Sequence, residues 1–109
     1  MSESRVFVPY ETIDYVATIN KALQRVFEAR ASIRGTDYAF SFERYLRAVE
    51  ALITILLPRL RPRDAARLLE EARKRRAVKI LDELVSQVID ALDRNRLLIR
   101  GEVYEEERL

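Results

Sequence analysis

The stretch YETIDYVATINKALQRVFEARASIR, residues 10–34, decides the fold class. It holds no glycine and no proline. Its apolar residues Ile13, Val16, Ile19, Leu23, Val26, Phe27 and Ile33 recur at steps of three and four. Asp14, Thr18, Lys21, Arg25, Glu28 and Ser32 follow the same period and are polar. Two interleaved stripes of opposite character mark an amphipathic helix that lays one face on a core. Pro9 stands just before it, at the first turn, where a missing N–H costs nothing. Asn20 falls within the apolar face, where a buried amide can fix the register of a neighbour.

Working outward, Gly35-Thr36-Asp37 reads as a turn, with Thr36 or Asp37 available to cap the next helix. That helix is expected from about Tyr38 or Ser41 to about Leu57. Phe42, Tyr45, Leu46, Val49, Leu52, Ile53, Leu56 and Leu57 line it, and Ala48, Ala51 and Ile55 widen its apolar arc. So wide an arc predicts either the central helix or one that a second chain covers. Phe42, Tyr45, Val49, Leu52 and Leu56 are therefore the expected interface residues. Tyr38, Phe40, Phe42 and Tyr45 form an aromatic group that either anchors a partner or packs on the first helix.

Pro58 and Pro62 interrupt the pattern, because each proline pushes the residue before it out of the helical region. Pro62 is expected to open a third helix with Asp64 in its first turn. A single helix from Arg63 to Arg100 would be about 55 Å long, so a bend is expected near residues 74–78, where the apolar stripe lapses. The last helix carries Leu81, Leu84, Val85, Val88, Ala91 and Leu92. It either continues to about Ile99 or gives way to a short strand within Leu97–Tyr104 that pairs with Arg5–Val8. The expected fold is all-α: one domain over residues 1–109, a compact antiparallel bundle of about four helices. Residues 1–8 form an N-terminal arm and 102–109 an acidic tail, and a short strand pairing of the termini is the one β option.

Composition narrows the function. The chain of 109 residues has no Cys, no His and no Trp. Disulfides, thiolate nucleophiles, Cys-based zinc sites and His-dependent triads are excluded on residue types alone. No Gly-rich loop is present to cradle a phosphate. Asp82, Asp90 and Asp93 lie near one face of the last helix and could hold Mg²⁺ through oxygens, but they equally form its wet side. The expectation is no enzyme activity, no cofactor and no metal. No apolar run exceeds three residues, as at Ile55-Leu56-Leu57, far short of the roughly 20 residues of a membrane span, so a soluble, cytoplasmic protein with no membrane partner is expected. Arginine outnumbers lysine by 17 to 3 and amides are few, a thermophile-like profile that GC-rich codon usage also produces.

Charge is unevenly placed. Residues 59–79 carry nine cations, Arg59, Arg61, Arg63, Arg67, Arg73, Lys74, Arg75, Arg76 and Lys79, against Asp64, Glu70 and Glu71, a net +6. The tail 102–109 carries −3. Such a segment can neutralise nucleic-acid phosphates without reading sequence. Arg63, Arg67 and Lys74 are expected on one side of the third helix. The competing structural use is pairing: Glu70 with Lys74 and Glu71 with Arg75 have the favourable helical spacing. No helix-turn-helix pattern points to specific DNA reading. Two functions follow as expectations. The first is a non-enzymatic small helical interaction or assembly protein that self-associates as a homodimer, with a place as an accessory subunit of a larger complex as an extension of that role. The second is a nucleic-acid-binding protein that uses the nine cations of 59–79.

Overall fold

The computed structural model describes residues 10–34, 37–57, 60 and 62–98, with side chains from Tyr15 onward. The described residues form four helices: α1 (Tyr10–Ala31), α2 (Tyr38–Leu56), α3 (Ala65–Arg75) and α4 (Val78–Arg94). The chain is all-α, with no strand among the described residues. The arm 1–8, most of the proposed terminal strand pair and the tail 102–109 lie outside the described residues. Leu97 and Leu98, the described part of that pair, are not in a strand.

One continuous cluster of buried side chains joins all four helices. Ile19, Leu23 and Val26 of α1 meet Phe42, Tyr45, Leu46, Val49, Leu52, Ile53 and Leu56 of α2. Ala65, Leu68 and Ala72 of α3 and Leu81, Leu84, Val85, Val88 and Leu92 of α4 complete it. Helix α2 packs against each of the other three, so its wide apolar arc is that of the central helix. Its apolar face is spent inside the chain. Phe42, Tyr45, Val49, Leu52 and Leu56 are each no more than 2% exposed. This corrects their assignment to an interface: they are covered by α1, α3 and α4, and no second copy is needed to bury them. Leu57, expected on the same face, is instead exposed.

Helix ends differ from the sequence reading in informative ways. Asp37 precedes α2 but makes no side-chain cap; the buried Ser41 hydroxyl donates back to the Asp37 and Tyr38 carbonyls at 2.8 and 3.3 Å. Pro62 does not open α3. Asp64 takes a left-handed conformation (φ 59°, ψ 18°) and the helix starts one residue later, so Asp64 and Arg63 precede the first turn.

The expected bend is a full break. Arg76 is left-handed (φ 52°, ψ 46°), and the Ala77 N–H donates to the Ala72 carbonyl at 3.3 Å. This six-to-one bond belongs to the Schellman ending of a helix. The same ending stops α4 early: Arg96 is left-handed (φ 59°). Its N–H reaches Asp93 O at 3.1 Å, and Leu97 N–H reaches Leu92 O at 2.9 Å. Asn20 then finds its use inside the chain. Its amide donates to Val16 O at 2.7 Å and to Leu97 O at 2.9 Å, pinning the segment after α4 to α1.

Candidate nucleic-acid interface

The corner where α3 becomes α4 is built by Arg76 and Ala77 alone, and basic residues surround it. Lys74 and Arg75 close α3, Arg76 makes the left-handed turn, and Lys79 lies in the first turn of α4. All four are exposed. Cations at the end of α3 oppose the partial negative charge of its last carbonyls, which gives Lys74 and Arg75 a structural reason to sit there. The N-terminal end of α4 has the opposite polarity, so Lys79 is not placed by that argument.

The expected helical pairs do not form as spaced. Glu70 is taken by Arg73 at 3.4 Å, and Glu71 by Arg67 at 3.9 Å. Arg73 also pairs with Glu50 of α2 across the helix interface, and Arg67 with Asp64 at 3.3 Å. The acids of the segment are thus engaged by Arg67 and Arg73. Among the described residues, Lys74, Arg75, Arg76 and Lys79 have no carboxylate partner. Arg63 is exposed but sits before α3, off the helical face where Arg67 and Lys74 were expected to join it. Arg59 and Arg61 lie outside the described residues. Of the nine cations, the seven in the described residues therefore separate into two paired arginines, Arg63 ahead of α3, and a corner of four with no carboxylate partner among those residues.

The corner is held in place from α2. The Tyr38 hydroxyl donates to the Arg76 carbonyl at 2.5 Å, and its ring stacks on Phe42 at 5.9 Å between centroids. Since Phe42 is buried, this contact anchors the start of α2, and through it the corner, to the core. The aromatic group is accordingly divided: Phe42 and Tyr45 are core, while Tyr38 and Phe40 remain exposed at 39% and 68%.

A second polar cluster was not legible as such. Asp82 of α4 accepts a two-pronged contact from Arg30 of α1, Nε to Oδ1 at 2.8 Å and Nη2 to Oδ2 at 3.1 Å. The Tyr45 hydroxyl donates to the same Oδ1 at 2.6 Å. Burial, followed by the hydrogen bond to Asp82, holds the Tyr45 phenol above its ordinary range. Burial alone would raise the Asp82 carboxyl, but the hydrogen bonds from Arg30 and Tyr45 outweigh it and the net shift is downward. The cluster is a clasp between α1, α2 and α4. Asp82 is occupied by it rather than grouped with Asp90 and Asp93, and among the described residues no acidic group is arranged to hold a metal ion. Its one trace in the sequence is that Arg30 falls four residues after Val26 and three before Ile33, in step with the apolar stripe of α1.

No helix among the described residues is long and apolar enough to cross a membrane. The chain matches no known protein family, and no curated protein or solved structure resembles it.

Proposed function

We propose that the protein acts in the cytoplasm by binding, without catalysis of its own, and that its partner is a nucleic acid held through its phosphates. The observation that carries this is the corner of four exposed cations, Lys74, Arg75, Arg76 and Lys79, with no carboxylate partner among the described residues. A solvated salt-bridge network would use the available acids on them; here those acids serve Arg67 and Arg73. Unpaired cations at a two-residue turn stand where a polyanion can reach all of them, and each phosphate they neutralise releases counterions.

The test is fluorescence anisotropy of a labelled mixed-sequence oligonucleotide across a salt series. Four phosphate contacts predict that log affinity falls against log salt with a slope of about −3 to −4. Changing Lys74, Arg75, Arg76 and Lys79 together to Gln should abolish binding with helical content unchanged. Full binding by that variant would sink the proposal.

A second reading is self-association as a homodimer, alone or as an accessory subunit of a larger complex. Phe27 at 50% and Leu57 at 43% exposure favour it, since the five core residues of α2 are already used. Light scattering separates the two: a dimer mass that persists at high salt and ignores the oligonucleotide supports the second reading.

A further inference from the structure

We infer that the nucleic acid this corner accepts is single-stranded, with Phe40 as a platform on which an exposed base stacks. The inference rests on the phosphate-binding reading above and adds the form of the ligand. Phe40 is the most exposed large apolar side chain among the described residues, at 68%. It lies in the first turn of α2, two residues from Tyr38, whose hydroxyl is bonded to the backbone of Arg76. Two helical residues advance only about 3 Å along the axis but turn about 200° around it, so Phe40 and the cationic corner share one end of the molecule on opposite sides of α2, and a strand that touches both must pass around the start of that helix.

Phe40 also has cations of its own. It lines a shallow depression with Glu43, Arg44 and Arg47. Arg47 is paired with Glu43 at 3.4 Å, whereas Arg44 is exposed and has no carboxylate partner among the described residues. An exposed aromatic ring with a free cation beside it and others at the same end of the molecule is a combination that binds single strands. The cations follow the backbone and the ring takes a base face, whatever the base. A duplex offers phosphates to the same cations but keeps its base faces stacked inside, so it leaves Phe40 without a partner. The phenyl ring carries no donor or acceptor, so no sequence preference is expected beyond the stacking strength of the base.

The experiment compares a labelled thymidine 12-mer, a uridine 12-mer and a mixed-sequence duplex of equal length, at one salt concentration, on the full chain. The single strands should bind at least about tenfold more tightly than the duplex. Phe40→Ala should weaken single-strand binding about five- to a hundredfold and leave duplex binding unchanged. Phe40→Trp should retain binding. Because the chain has no other Trp, its fluorescence reports the ring directly and should be quenched by the single strands only. Preference for the thymidine or the uridine strand decides between DNA and RNA, either of which fulfils the inference. Equal binding of duplex and single strand, with Phe40→Ala silent, overturns it while the phosphate reading stands. Failure of the unmodified protein to bind any of the three overturns both. A Phe40→Ala variant that binds normally but changes its solution mass assigns the ring to a protein contact and also overturns the inference.

Discussion

Tyr45 is 1% exposed, and without Asp82 its hydroxyl would be a buried donor with nothing to bond. That makes Asp82 worth more to the phenol than to the arginine. Arg30 and Asp82 have side chains 44% and 37% exposed, so water competes for their ion pair and screens it. Asp82→Ala is expected to destabilise the fold by about 1–3 kcal/mol, the cost of an unsatisfied buried group. Arg30→Ala should cost about 1 kcal/mol or less. Urea denaturation of both variants checks this, and equal losses would show that the ion pair, not the phenol, carries the contact. The two shifted groups also fix the pH dependence. The Asp82 carboxyl lies below its unfolded value, so its contribution is present above about pH 4 and disappears as pH falls through the lowered folded value. The Tyr45 phenol is raised, so its contribution is full below about pH 10 and disappears as pH rises through the folded value. Thermal stability should therefore fall at both ends, and Tyr45→Phe should remove part of the alkaline loss and, by taking one hydrogen bond from Asp82, part of the acid loss as well. An unchanged alkaline limb in Tyr45→Phe would mean that the phenol does not report on folding.

The helix endings set which elements exist, and three of them use left-handed residues that carry a side chain: Asp64, Arg76 and Arg96. A left-handed L-residue other than glycine costs roughly 1–2 kcal/mol. Arg96→Gly is expected to raise stability by up to about 1 kcal/mol, the gain being reduced by the greater freedom of glycine in the unfolded chain. Arg96→Val should lower it, since a β-branched side chain fits that conformation poorly. A shift in the urea midpoint reads both, and a loss with glycine would contradict the Schellman ending. These positions also explain what was legible in the sequence. Helix α1 begins right after Pro9, and α2 matches its apolar period almost to the residue, because periodicity and proline act locally. In the sequence the break at Arg76 shows only as the excess length of a single helix and a lapse in the apolar stripe, and nothing marks the end of α4 at Arg94 rather than near Ile99. Both are closed by arginine where glycine would have given the signal, and both depend on apolar residues on either side, such as Leu92 and Leu97, being drawn to one core.

At the scale of the whole molecule, the basic run was legible by counting and its division was not. The nominal partners of Lys74 and Arg75 are committed elsewhere, Glu70 to Arg73 and Glu71 to Arg67, and Arg73 also takes Glu50 from another helix. Spacing along one helix permits these pairs as readily as the expected ones, and it says nothing of Glu50. The total charge of +2 likewise conceals a separation between the cations of 59–79 and the −3 of residues 102–109. An approaching polyanion senses the sum of these charges at low salt, where the Debye length is about 30 Å at 0.01 M. At high salt, about 3 Å at 1 M, it senses only what it touches. Deleting residues 102–109 removes Glu102, Glu105, Glu106, Glu107 and Arg108 and takes the chain from +2 to +5. Stopped-flow association with an oligonucleotide should then be about three- to tenfold faster in 0.02 M salt, with the difference gone by 0.5 M. A rate unchanged at low salt would mean that the tail charge does not reach the field at the corner. A slower rate would make the tail part of the contact itself, since only the loss of an attractive group can slow the encounter after three net negative charges have been removed.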